Sequence, residues 1–223
     1  MNRFTLTLAL PFLIFLSTCK KNMVDEKFLF DKDEYVLNYD QSISLLNIKD
    51  QKNVIWTVSN KPIGEISKNG KFIAKRIGTT TVKAKLGHET IQTKIIVEPY
   101  ITSFSEPFTK FGVNKEHIKQ VEKRNIIREG LSGIIYSGNG KILKEVYYIF
   151  YDKIYSSSLL IFNINQDKDM EEVITFYKER YTLSGMEEDV MLFENQQLDY
   201  LVALKKDAAY GYLAQYHPVK MPK

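Results

Sequence analysis

One cysteine, three histidines and a few runs of acidic and aromatic residues carry whatever chemistry this 223-residue chain can perform. A zinc site needs two or more His, Cys or carboxylate ligands at helical or hairpin spacing. His88, His117 and His217 lie far apart, and four residues beyond His117 stands Val121. No metal site and no cofactor are expected. Ser156-Ser157-Ser158 sits at a strand start without the Gly-x-Ser-x-Gly elbow that exposes a nucleophilic serine. Gly138-Asn139-Gly140-Lys141 lacks the longer spacing of a phosphate loop and reads as a hairpin turn. The Glu171-Glu172 pair suits a helix start, where it favours the macrodipole, and Glu187-Glu188-Asp189 reads as a solvated turn. Cleaving a glycosidic bond requires two carboxylates facing each other across a cleft, and no spacing here sets that up. No catalytic residue is expected.

The aromatic signal is stronger, with 14 Tyr and 13 Phe against one Trp. Tyr147, Tyr148, Tyr151, Tyr155, Tyr200, Tyr210, Tyr212 and Tyr216 fall on strand patterns or their ends. Tyrosine joins an apolar body to a polar tip, which suits both a sheet core and a recognition surface. Packing is the favoured reading. Tyr147, Tyr151, Tyr210 and Tyr212 are the candidates for a ligand surface, and a contiguous exposed patch is the observation that selects it.

The elements that position these residues begin with an address. Arg3 precedes an uncharged run, Phe4 to Leu16, too short to span a bilayer but right for a signal-peptide core. Leu16-Ser17-Thr18-Cys19 resembles a bacterial lipobox. That resemblance implies a signal peptide over 1–18, a diacylated Cys19 and a polar tether over 19–27. It makes membrane lipid the expected first partner and the cell envelope the expected location; the outer membrane, on its periplasmic or surface face, is the favoured site, and the residues after Cys19 leave the choice of membrane and face open. Lys+Arg number 31 against 27 Asp+Glu, and the small excess is spread along the chain, so nucleic acid is not an expected partner.

Residues 28–98 alternate as short strands separated by glycine turns, which argues for a β-sandwich. Val54, Trp56 and Val58 face one way. Lys68-Asn69-Gly70-Lys71 predicts a type I′ hairpin between Glu65-Ile66-Ser67 and Phe72-Ile73-Ala74. Val82, Ala84 and Leu86 alternate after Gly78, and Ile91, Thr93, Ile95 and Val97 form the closing strand. Val54 to Asn60, Ile63 to Ile66, Asn69 to Ala74 and Gly78 to Ala84 together resemble the bacterial immunoglobulin-like domain of group 2. The resemblance implies a disulfide-free, Ig-like sandwich of extracytoplasmic proteins with no shared catalytic residues. Trp56 is expected in its core.

Two prolines and a loss of alternation mark a linker over 99–107. Beyond it, 108–218 reads as an α+β domain: helix, three strands, helix, three strands, in an antiparallel sheet with both helices on one face. The first helix spans Lys115 to Lys123 with Asn114 as N-cap. The second starts near Asp169 and Glu172 and carries Met170, Val173, Ile174, Tyr177 and Tyr181 on one face. Asp152-Lys153 suits a hairpin. The expected function is a non-enzymatic binding or structural module, with the sandwich as a stalk and the second domain meeting an envelope protein or glycan. The alternative is an enzyme, or an enzyme accessory, acting on polysaccharide or peptidoglycan.

Overall fold

The computed structural model describes residues 28–46 and 53–220, and the lipobox with Cys19 and its tether lie outside the described residues. The described chain is mostly β, with fifteen strands and two helices. No described helix is long and apolar enough to cross a membrane.

The first unit contains β1 (Glu34–Asn38), β2 (Ser42–Ser44), β3 (Ile55–Val58), β4 (Gly64–Ile66), β5 (Lys71–Ala74), β6 (Gly78–Leu86) and β7 (Glu89–Glu98). They form two sheets, ordered β1-β7-β6-β3 and β2-β5-β4, with β1 parallel to β7. The period-2 pattern explains why they pack: Thr80, Val82 and Ala84 of β6 and Thr93, Ile95 and Val97 of β7 all turn inward. Phe72, Ala74, Leu45 and Ile63 meet them in the core. The two buried threonines are satisfied, Thr80 Oγ1 accepting from the Asn60 N–H at 3.0 Å and Thr93 Oγ1 donating to the Lys32 carbonyl at 3.0 Å.

Two local expectations are corrected here. Asn69 does not adopt the left-handed conformation. Gly70 alone does, at φ +71°, so β4 and β5 are joined by a wider turn than type I′. Glycine is required there for a second reason: a Cβ at Gly70 falls 2.6 Å from the Trp56 ring. Trp56 lies at the margin of the core, partly buried, because β3 is the edge strand of its sheet. Its ring meets Phe30 at 6.2 Å.

The second unit contains α1 (Lys115–Val121), β8 (Ile126–Glu129), β9 (Gly133–Ser137), β10 (Leu143–Tyr151), β11 (Ile154–Phe162), α2 (Asp167–Arg180), β12 (Thr182–Glu187), β13 (Val190–Glu194), β14 (Tyr200–Asp207) and β15 (Gly211–Pro218). Its single sheet has the order β12-β13-β14-β15-β11-β10-β9-β8. Each half is therefore a helix followed by four strands, not three, and the last strands of the halves, β11 and β15, pair antiparallel at the centre. The strands that sequence reading missed, β8 and β12, are the two edges. Every residue of β8 is exposed, so no apolar alternation marks it. A type I′ turn forms instead at Asp152-Lys153, with φ of 47° and 66°, joining β10 to β11.

Asn114 caps α1, accepting from the His117 N–H at 2.9 Å. Helix α2 starts two residues earlier than expected. The Asp169 carboxylate reaches back to the Asn165 and Gln166 N–H groups at 3.0 and 3.1 Å, so Gln166 is the N-cap. Its buried face is Val173, Phe176 and Tyr177. Tyr181 is buried as the residue after the helix. Glu122, just after α1, bonds Tyr148 of β10, and Tyr177 of α2 bonds Tyr216 of β15. By the strand register, Tyr148 and Tyr216 point to the same side of the sheet, which puts both helices on one face.

The units meet at the C-terminal end of α2. Glu179 is fully buried. Its carboxylate accepts from the Tyr100 and Ile101 N–H groups at 2.7 and 3.4 Å and from Arg180 at 3.1 Å. Its backbone carbonyl accepts from the Ile77 N–H of the first unit at 2.8 Å. Arg76 adds a bond to Thr182 Oγ1 at 2.7 Å.

Candidate functional site

The chain from Ile101 to Lys110 forms neither helix nor strand and packs against the residues after α1 and against α2 and the sheet, through Arg124, Phe176 and Tyr148. Its backbone polar groups must be satisfied by side chains, since buried N–H and C=O groups are costly when unpaired. Tyrosines of the sheet do this. The Phe108 N–H donates to Tyr148 Oη at 2.8 Å, and Tyr155 Oη donates to the Phe108 carbonyl at 2.7 Å while meeting Ser158 Oγ at 2.9 Å. Arg124 reaches the carbonyls of Ser105 and Glu106 at 2.7 and 3.2 Å. Phe104 stacks on Phe176 with ring centroids 4.1 Å apart, and Phe111 stacks on Tyr155 at 4.8 Å.

Two carboxylates anchor this network. Glu122 accepts from Tyr148 Oη, from Arg124 Nη1 at 2.7 Å, and from the N–H groups of Lys123 and Arg124 at 2.8 and 3.0 Å. Glu106 accepts from Tyr181 Oη and from Tyr216 Oη at 3.3 Å. Tyr181 in turn meets Tyr200 at 3.0 Å, and Tyr216 meets Tyr177 at 3.0 Å. Burial raises the Glu106 carboxyl above its ordinary value, opposed by the bonds from Tyr181 and Tyr216 and by the charge of Arg180. Burial also pushes the phenols of Tyr148, Tyr155, Tyr177, Tyr181 and Tyr216 upward, with nearby carboxylate charge adding to it. These phenols stay protonated at neutral pH and work as fixed donors and acceptors. Beside them opens a cleft of about 620 Å³, lined by Glu106, Phe108, Glu122, Arg124, Ser137 and Asn139.

The four candidate ligand tyrosines do not form one surface. Tyr147 and Tyr210 come together on the sheet face away from the helices, edge to face at 5.8 Å. Tyr147 Oη donates to Glu145 at 2.7 Å, and burial with the Glu145 carboxylate pushes its pKa up to about 12. Tyr151 stands at the β10–β11 hairpin, 77% exposed. Tyr212 belongs to the opposite, helix-covered face, with Lys206 Nζ 5.7 Å from its ring centre.

The other candidates stay scattered. Glu172 accepts from Ser103 Oγ and Glu171 is exposed. Glu187, Glu188 and Asp189 are exposed at the β12–β13 turn. Among the described residues no three His, Cys, Asp or Glu side chains gather where they could hold a metal ion. Sequence reading missed Glu106, Glu179 and Arg124. Glu179 sits in the charge run Lys178-Glu179-Arg180, which reads as a solvated helix face, and the linker N–H groups that take up its carboxylate are not visible in that run.

No family model matches the chain, and no curated protein matches it. Among solved structures, extracellular domains 3–5 of Drosophila OTK are similar at 10% identity, with a TM-score of 0.24, over 86% of this chain and 87% of that one.

Proposed function

We propose that this protein is a non-enzymatic binding or structural module of the cell envelope. In this reading Cys19 carries the lipid anchor, the sandwich is a bacterial Ig-like group 2 stalk, and the second unit is an α+β domain held out from the membrane to meet a partner. The observation that carries it is the seam at Glu179, where a fully buried carboxylate ties the linker and α2 together while its carbonyl holds the first unit. A buried, hydrogen-bonded charge at a domain junction favours one fixed geometry over a flexible string. A fixed spacer is what a display role needs. Cys19→Ser is expected to move the protein from the membrane fraction to the soluble fraction, and retention after a high-salt wash overturns the anchor.

The enzymatic alternative has one supporting observation: Glu106, with its raised carboxyl, and Glu122 line the same cleft. A raised acid beside a second carboxylate is the pairing used on glycosidic bonds. Both carboxylates are already engaged by phenols and Arg124, which favours the binding reading. Turnover of soluble glycan or peptidoglycan fragments, abolished by both Glu106→Gln and Glu122→Gln, reverses the order of the two.

A further inference from the structure

A second cleft, of about 460 Å³, lies at the seam between the units. Its lining is unusually cationic: Lys61, Lys75, Arg76 and Lys178 against the single acid Glu65, with Tyr39 beside them. Glu65 is taken by Lys75 at 3.2 Å. Among the described residues no carboxylate stands within ion-pair distance of Lys61, Arg76 or Lys178. Glu179, whose charge is felt at Tyr39, is already engaged by two backbone N–H groups and Arg180.

Arg76 supplies the guanidinium of this cleft. It is partly buried, yet its guanidinium meets only neutral acceptors, the Pro62 carbonyl at 3.3 Å and Thr182 Oγ1 at 2.7 Å. Its Nε–H is buried with no acceptor. Burial is also the main force lowering its pKa. A partly buried cation without a counter-charge is costly unless an anion completes the site. The flat guanidinium fork matches tetrahedral oxyanions, and two further ammonium groups add charge without fixed geometry. The cleft falls within the size range of small-molecule sites, roughly 300–1,000 Å³, which leaves room beyond a bare anion. Tyr39, Pro62 and Leu183 supply the less polar part of its wall.

We propose that this cleft binds a phosphate monoester carried on a sugar-sized group, with Lys61, Arg76 and Lys178 around the phosphate and Tyr39 and Pro62 against the carrier. The inference deepens the binding-module reading by naming a ligand class. It does not depend on the anchor, so the Cys19 fractionation and the experiment below can fail separately.

The test is calorimetric titration of the full chain in detergent with glucose 6-phosphate, glucose and inorganic phosphate, and, with the detergent-free Cys19→Ser chain, co-flotation with vesicles of phosphatidylcholine with phosphatidate. Saturable one-to-one binding of glucose 6-phosphate is expected, weakened by added salt, tighter than inorganic phosphate and absent with glucose. Lys61→Glu and Lys178→Glu, neither in the bonds that join the units, are each expected to weaken it about tenfold. Arg76→Lys is expected to weaken it as well, because the fork is lost. Lys83→Glu, on an exposed position of β6, is the unaffected control. The proposal is overturned by the absence of saturable heat up to about 10 mM ligand, or by undiminished binding in the Lys61 and Lys178 variants. Equal affinity for inorganic phosphate removes the carrier from the proposal, and binding to phosphatidate vesicles alone replaces it with a charged lipid surface.

Discussion

The two cores of this molecule are built on different principles. The first unit buries mostly aliphatic and phenylalanine side chains between two sheets, with Tyr35 its one buried phenol among the described residues, and the buried hydroxyls of Thr80 and Thr93 close onto nearby backbone. The second unit buries Tyr136, Tyr148, Tyr155, Tyr177, Tyr181 and Tyr216 in one cluster and threads carboxylates among them. The difference follows from what each core must cover. Two facing sheets satisfy their own backbone through their ladders, so packing alone suffices. In the second unit the irregular segment 101–110 has no ladder, so the side chains beneath it must supply the missing donors and acceptors. Phenols do this at low entropic cost, since each brings a large apolar body to the core along with one polar atom.

The strongest way to break the comparison is to remove a buried charge from the second unit. Glu179→Ala leaves the Tyr100 and Ile101 N–H groups without their acceptor and Arg180 with only the Phe176 and Ile101 carbonyls and no counter-charge. It is expected to cost about 3–5 kcal/mol, the range for breaking a buried pair from one side. The bond to the first unit runs from the Ile77 N–H to the Glu179 backbone carbonyl and survives the substitution, so the loss is expected as a lower thermal midpoint. An unchanged midpoint means the buried carboxylate adds nothing net to stability.

Next comes a hydroxyl compared with a methylene. Tyr148→Phe strips the acceptor from the Phe108 N–H and one donor from Glu122, and is expected to cost about 1–3 kcal/mol. Ile95→Val in the sandwich deletes only a methylene and is expected to cost about 0.5–1.5 kcal/mol. Urea midpoints of the two variants measure this directly. If the tyrosine change is the milder one, the network is ornamental to stability and packing governs both cores.

A pH series sharpens the same contrast. Burial raises the Glu106 carboxyl above its ordinary value of 4.5, so the folded chain holds that proton more tightly than the unfolded chain. Below 4.5 both states are protonated and the group costs nothing. As pH rises through 4.5 the unfolded chain ionises first, and stability falls until the folded carboxyl ionises too, after which the cost is constant. Glu106→Gln removes this fall, so the variant is expected to gain stability over the parent at neutral pH, with the gain shrinking as pH approaches 4.5. A gain that is the same at every pH assigns the effect to packing instead.

How much of this was legible in the sequence depended on which residues see a boundary. The central strands were readable because the buried Val146, Tyr148 and Phe150, like Thr80, Val82 and Ala84, alternate with less buried neighbours. The edges β8 and β12 were not, because a strand exposed on both faces has no period. Asn114 announced α1 because its cap is a local bond. Gln166 did not announce α2, since glutamine is a weak capping signal and Asp169 drew attention to the wrong position. The tyrosine network was half legible. Packing was the favoured reading, but Glu106 comes from a linker and Glu122 from the end of a short helix, and nothing in their spacing connects them to tyrosines 26 and 110 residues away.

The smallest expected effect isolates burial from distance. The Lys94–Glu34 pair in the first unit and the Arg124–Glu122 pair in the second have the same 2.7 Å separation. Their side chains are 48% and 44% exposed in the first pair but 9% and 6% in the second. Coulomb's law gives both the same bare attraction, and the solvent decides what survives of it. Around Lys94 water screens the pair and hydrates either ion once it is alone, so Lys94→Ala is expected to shift stability by less than about 1 kcal/mol. Around Arg124 no such replacement exists. Arg124→Ala leaves Glu122 to its phenol and two N–H donors and leaves the Ser105 and Glu106 carbonyls without a side-chain partner, so its cost is expected to approach that of Glu179→Ala. Equal losses in the two alanine variants mean that the buried network behaves as an ordinary surface pair, and the distinction between the two cores then reduces to composition.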